Sequence, residues 1–190
     1  MFWLILTIFG WGLIHSWLAS QGVKSWLQGM IGPILFQGYR LFYNIFSVIS
    51  ALPIVWLLAN LPDQNLYSVP APWKLVMISI QLIALFLVVL GVIQTDALGF
   101  VGIRQLFEDR SAALIKNGLY RYVRHPLYLF GLIFLWLTPT SSLNSFIVRI
   151  SFSIYLISGA FFEEKKLMRE FRQEYIEYMR ITPMFIPRLF

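Results

Sequence analysis

Arg124, His125 and Pro126 stand in a row at the edge of a charge-free apolar run, and two adjacent carboxylates, Glu163 and Glu164, follow further along the chain. Proline is at home in the first turn of a helix, where its missing N–H has no partner to lose. A helix opening at Pro126 turns free N–H groups and the positive end of its dipole toward His125, a setting that favours anions. Arg124 adds a planar fork that can hold a carboxylate through two parallel hydrogen bonds. The paired glutamates offer the complement, acceptors for an ammonium or for sugar hydroxyls. A ligand carrying a carboxylate, an amine and a ribose suits such a pocket, provided the two patches meet. Each residue also has a plainer explanation. Arg121 and Arg124 can anchor a membrane helix, Tyr120, Tyr122 and Tyr128 can form an interfacial aromatic belt, and Glu163 and Glu164 can be first-turn helix acids.

Whether the patches meet depends on the elements around them. Only 13% of the residues are charged, against about a quarter in a typical soluble domain. Charges are absent from Met1 to Val23, Leu41 to Pro62, Leu75 to Thr95 and Pro126 to Val148. About 20 apolar residues carry a helix across a hydrocarbon core, so the first three runs each make one crossing. The fourth continues to Phe162 with Arg149 as its single charge, and its middle reads TPTSSLN, Thr138 to Asn144. That cluster of turn formers predicts a tight hairpin of two rather short helices. The expected fold is therefore all-α, a membrane bundle of five crossings in one domain. A hairpin returns Arg124 and the glutamates to the same side.

The basic residues give the orientation. With the N-terminus outside, the inner segments are Ser20–Arg40, Asp96–His125 and Glu163–Phe190, and they hold all of the 15 lysines and arginines except Lys74 and Arg149. This is the bias expected of cytoplasmic loops. A sequence pI near 9.7 then reflects contact with an anionic lipid leaflet. Nucleic acid is the weaker reading, because the cations are dispersed among membrane segments. The first run lacks a basic stretch before it and is expected to stay as a membrane helix rather than act as a secretory signal. The absence of cysteine excludes disulfides and cysteine-based catalysis.

Between the crossings, Gln21 to Arg40 is expected to form an inner connection with Trp26 at headgroup depth. Leu167, Phe171, Tyr175 and Tyr178 fall on one helical face, which predicts an amphipathic helix on the cytoplasmic surface. His15 lies within the first crossing and Asn44 within the second. Intramembrane polar residues usually face the bundle interior, and the plain reading is hydrogen bonding between helices. The sharper reading gives His15 and Asn44, with Arg40 and Tyr43 at the inner end of the second crossing, to the binding of an acceptor substrate. Arg104 and Gln105 are candidates to cap the pocket from the long inner loop.

The stretch GLYRYVRHPLYLFG, followed by EEKKLMREFRQEYIEYMRITPMFIP, resembles the isoprenylcysteine carboxyl methyltransferase and phospholipid methyltransferase superfamily. The match rests on Gly118, Tyr120, Arg124, His125, Pro126 and Tyr128, with Gly131 one place later than usual, then on the Glu163–Glu164 pair, Phe171, Tyr175, Tyr178, Ile186 and Pro187. Earlier stretches, HSWLAS, GYRLFYNIFS, GFVGIRQ and WLTPTSS, look like NnrU-type proteins and bacterial methanethiol S-methyltransferases. The resemblance implies S-adenosylmethionine as cofactor, in a cytoplasmic region over 96–128 and 163–187. Tyr120, Arg124, His125, Tyr128, Glu163 and Glu164 become its binding residues, with His125 and Arg124 at the reacting centre. It implies a small or lipophilic methyl acceptor, a thiol or an isoprenylcysteine-type carboxylate.

Such a transfer is an in-line displacement, and an anionic nucleophile meeting a sulfonium loses charge in the transition state. A low-dielectric site at the membrane edge favours that reaction. A carboxylate needs no base at neutral pH, whereas a thiol benefits from a proton acceptor, for which His125 is a candidate. Two other readings stand beside this one: a non-catalytic accessory protein of nitrogen-oxide metabolism, and an NADPH-dependent enzyme like the sterol reductases.

Overall fold

The computed structural model describes residues 1–108 and 113–187. Arg110 and Arg188, two of the basic residues in the topology argument, lie outside the described residues. Two compact units emerge. The first comprises Met1–Gln64, Asp96–Ser111 and Leu143–Val148; the second comprises Asn65–Thr95, Ala112–Ser142 and Arg149–Phe190.

The first unit begins with α1 (Phe2–Ala19), α2 (Gln21–Phe36) and α3 (Tyr39–Asn60). Ser20 separates α1 from α2, and its hydroxyl accepts the Val23 N–H as an N-cap. Gly32, with φ 79°, and Pro33 break α2 near its end. The Tyr39 hydroxyl donates to the Leu18 carbonyl at 2.7 Å, which ties the start of α3 to the end of α1. A short helix, α5 (Ala97–Val101), packs on α3 through Gly102. Gly102 has φ 98°, and a Cβ there would lie 2.5 Å from the Leu41 backbone nitrogen. Only glycine combines that backbone with that approach.

The second unit is built on α4 (Trp73–Gln94) and α6 (Pro126–Trp136). A Cβ at Gly91 would fall 2.7 Å from a Leu127 methyl, and the Gln81 amide donates to the Phe134 carbonyl at 2.9 Å. The start of α6 thus lies against the end of α4, and the chain runs back along it. Two short strands, β1 (Asn65–Ser68) and β2 (Thr140–Ser142), pair antiparallel with Tyr67 opposite Ser141. The long α7 (Leu143–Phe171) opens in the first unit and continues through the second, followed by α8 (Gln173–Ile181).

Four helices are long and apolar enough to cross a membrane among the described residues: α1, α3, α4 and α7. Their outward side chains, including Trp17, Val48 and Phe86, are apolar and exposed, the distribution of a membrane protein. The expected fifth crossing helix is not found. With 11 residues, α6 is about 16 Å long, well short of a hydrocarbon core of about 30 Å. The turn formers after it do not make a tight hairpin. They extend into β2, and Asn144 begins α7 with its backbone N–H on the Asp63 carboxylate at 3.0 Å. The predicted C-terminal amphipathic helix is also divided. Nothing between Glu163 and Phe171 stops a helix, so α7 carries on through the glutamates. Arg172, with φ 46°, makes the break that sets α8 on its own course.

Candidate functional site

The site of the second unit is assembled where α6 begins and α7 nears its end. Arg124 and His125 are tied by their backbones to the C-terminal segment: Arg124 N–H donates to the Pro183 carbonyl at 2.9 Å and His125 N–H to the Met184 carbonyl at 3.2 Å. These two bonds fix the residues before Pro126, which occupies the first helical position as its ring requires.

Arg124 and Glu164, separated by 40 positions in sequence, meet in a buried ion pair. Arg124 Nε and Nη2 reach Glu164 Oε1 at 2.7 and 2.6 Å, and both side chains are only 9% exposed. Arg124 Nη1 donates to the carbonyls of Met179 at 3.3 Å and Thr182 at 2.5 Å. The same Glu164 oxygen receives His125 Nε2 at 3.2 Å and the Tyr175 hydroxyl at 3.4 Å. A buried pair of charges is tolerable only when hydrogen bonds satisfy both members, and this one has them.

Glu163 is the contrasting neighbour. Its side chain is 44% exposed, it accepts the Tyr128 hydroxyl at 2.9 Å, and it lies 3.8 Å from His125 Nδ1. The His125 ring stands edge-on to Tyr128, with centroids 5.4 Å apart, and tilts against Phe185 at 5.9 Å. Burial pulls the His125 pKa below its ordinary value, against the opposing pull of Glu163 and Glu164. The ring is then neutral at pH 7. Glu164 can only accept, so the single N–H sits on Nε2 and the lone pair on Nδ1. Burial pushes the phenols of Tyr120 and Tyr175 upward and that of Tyr178 up to about 12, so all three remain donors. Tyr178 donates to the Tyr120 carbonyl, joining α8 to the turn before Arg124.

A cavity of about 300 Å³ in the same unit is lined by Gln94, Leu114, Ile115, Lys116, Asn117 and Gly118. Gln94 holds its rim by accepting the Leu119 N–H at 2.9 Å, and Lys116 pairs with Glu174 at 2.7 Å.

The sequence-predicted residues therefore divide. Tyr120, Arg124, His125, Tyr128, Glu163 and Glu164 gather in the second unit. Arg124, expected to offer a fork to a ligand, is instead directed at Glu164 and two carbonyls. Arg40, Tyr43, Asn44 and His15 belong to the first unit. There Asn44 donates to the carbonyls of Phe100 and Val101 at 3.0 and 2.7 Å, and Arg40 Nε to that of Phe100 at 3.3 Å. These two side chains satisfy the last carbonyls of α5, which its own turns leave without partners. His15 and Tyr43 bond to each other. Arg104 pairs with Asp96 at 2.8 Å, and Gln105 donates to the Gly99 carbonyl at 3.1 Å, so both brace α5.

Sequence reasoning gave no site role to Tyr175, Tyr178, Thr182 or Gln94. The spacing of Tyr175 and Tyr178 marked a buried helical face, a usable signal. The carbonyl of Thr182 and the amide of Gln94 carried none.

A model of the family described as "NnrU protein" matches residues 3–185. Among curated proteins, the chain is similar to methanethiol S-methyltransferase 2 of Bradyrhizobium diazoefficiens, 28% identical over 98% of this chain and 72% of that protein. It is similar also to the methanethiol S-methyltransferase of Crocosphaera subtropica, 29% identical over 92% of this chain and 70% of that one. The Mycobacterium tuberculosis methanethiol S-methyltransferase is 25% identical over 91% and 72%. No solved structure was found to match the chain.

Proposed function

The chain belongs to the NnrU family, and from that premise we propose that it is a membrane methyltransferase that takes its methyl group from S-adenosylmethionine and passes it to a small thiol. The names of the similar proteins support methyl transfer, and a small thiol, over the accessory and reductase readings. The observation that carries the site is the half-exposed Glu163 carboxylate, oriented by Tyr128 and flanked by the neutral ring of His125.

The donor set suits a nucleoside that carries an ammonium. Glu163 accepts from an ammonium or from ribose hydroxyls, and Tyr128 fixes which way the carboxylate points. Gln94 and Asn117 offer amide groups at the neighbouring cavity, whose volume of about 300 Å³ admits a nucleoside-sized group. When bound, S-adenosylmethionine supplies a methyl group made electrophilic by the sulfonium. His125 presents the Nδ1 lone pair toward the same carboxylate. Arg124 and Glu164 are positioning residues: they cancel each other's charge and hold the start of α6, the end of α7 and residues 179–184 in one frame. Such rigidity is what in-line transfer asks of a protein.

The reading includes an orientation in the cytoplasmic membrane, with the N-terminus outside and the basic segments and C-terminus in the cytoplasm. Because the chain has no cysteine, single cysteines placed at Gln64 and at Lys116 can be labelled separately from each side. This orientation requires Gln64 to react from outside and Lys116 from inside.

The main test is calorimetry on purified protein in detergent. Wild type should bind S-adenosylhomocysteine, and Glu163→Gln should weaken that binding about tenfold, close to 1.4 kcal/mol. Absence of binding by wild type would refute the proposal. A labelled-methyl assay in membranes against thiols, prenylcysteines and lipid amines then identifies the acceptor.

A further inference from the structure

Within the first unit, His15 of α1 is held by hydroxyls. Its Nδ1 lies 2.8 Å from the Ser47 hydroxyl, its Nε2 bonds to the Tyr43 hydroxyl, and the Trp11 ring stacks on it with centroids 4.8 Å apart and planes at 18°. The hydrogens can be assigned. Ser47 Oγ donates to the Tyr43 carbonyl at 2.7 Å, so toward His15 it accepts, and Nδ1 carries the N–H. A neutral imidazole has one N–H, so Nε2 bears the lone pair and the Tyr43 phenol donates to it. The chain Tyr43 O–H to Nε2, Nδ1–H to Ser47, Ser47 O–H to carbonyl is therefore directional. Its serine end closes on the backbone, and its accepting end is the phenol oxygen. Trp11 also lines an apolar cavity of about 260 Å³ with Thr7, Gly10, Ile14, Phe46 and Ser50, none of them charged.

Resting on the methyltransferase reading above, we propose that Tyr43 accepts the proton of a neutral thiol while passing its own to His15, so that this pair activates the acceptor. The S–H bond breaks with its electron pair left on sulfur. A new O–H bond forms on Tyr43 as the old one is given up to Nε2, and the products are a thiolate and a His15 imidazolium whose Nδ1–H remains on Ser47. The imidazolium later returns its proton to water through the same phenol. A carboxylate acceptor has no proton to lose, so this device selects a thiol. Within an apolar unit, an uncharged relay is also what the setting admits, since ionised groups there are strongly disfavoured. Tyr43 touches the substrate; His15 acts through it.

The test uses the full chain with labelled S-adenosylmethionine and two acceptors, an alkanethiol that is protonated at pH 7 and an aromatic thiol that is largely ionised. His15→Gln and Tyr43→Phe should each lose about 100-fold in kcat/KM with the alkanethiol and recover to within about threefold of wild type with the aromatic thiol, the range of general-base catalysis. Both should still bind S-adenosylhomocysteine. Equal losses on the two thiols, no loss on either, or loss of S-adenosylhomocysteine binding by both variants would overturn the relay. Wild type that methylates neither thiol fails the methyltransferase reading itself and takes the relay with it. An active wild type with indifferent variants rejects the relay alone.

Discussion

His125 stands among charges and His15 among hydroxyls, and the contrast between their surroundings explains where each can exist. The His125 cluster lies at the start of α6, where Arg124 and Glu164 neutralise each other and backbone carbonyls take up the remaining guanidinium hydrogens. The His15 cluster lies inside a crossing helix, and every partner resolved for its ring nitrogens is an uncharged hydroxyl. Desolvating an ion costs far more than desolvating a hydroxyl that keeps its hydrogen bond. Charge therefore collects at helix ends, and the neutral relay can lie deep in an apolar helix pair.

The strongest way to break this comparison is Arg124→Ala. Glu164 would be left buried without its countercharge, a loss of about 3–5 kcal/mol, read as a large fall in the thermal midpoint in detergent or as failure to purify. Tyr43→Phe, which removes one neutral hydroxyl, should lower that midpoint far less. Next in size is Gly102→Ala in the first unit. Its backbone lies in the left-handed region and its Cβ would collide with the Leu41 backbone, so about 1–3 kcal/mol of stability should go, with S-adenosylhomocysteine affinity retained. Glu163→Gln sharpens the comparison from the other side. The residue is 44% exposed, so its thermal midpoint should hold while ligand affinity falls.

The smallest effect is that of pH. The folded His125 pKa lies below the ordinary 6.5 because burial disfavours the imidazolium, so the unfolded chain takes up the proton first as pH falls. The contribution of His125 is complete above about pH 6.5 and is lost as pH descends through the folded value. Thermal midpoints measured from pH 8 to pH 5 should decline across that window, and His125→Gln should flatten the decline. An unchanged slope in the variant would remove His125 as its source.

The pairing of Arg124 with Glu164 was legible only as proximity. Apolar runs on either side of them required the chain to turn back, and that argument survives although the crossing helix it assumed is short. It fails on detail because α6 ends where Thr138 and Pro139 leave the helix for β2, whose partner lies some 70 positions away at Tyr67. Hydropathy along one segment carries no record of a distant strand. Likewise the reading of Arg40 and Asn44 as acceptor ligands could not anticipate that α5 would end beside them with carbonyls to be satisfied.

The sequence by itself determined the four long apolar helices, the proline that opens α6 and the grouping of the basic residues between crossings, because each depends on residue type and spacing within one segment. Tertiary structure alone decided that Arg124 faces inward to Glu164 and leaves Glu163 open, and that His15 is bonded to Tyr43 and Ser47. The reason is physical. A side chain's hydrogen-bond partner is chosen by what the fold carries within about 3 Å of it, and distances of that size between remote segments are set only when the helices pack.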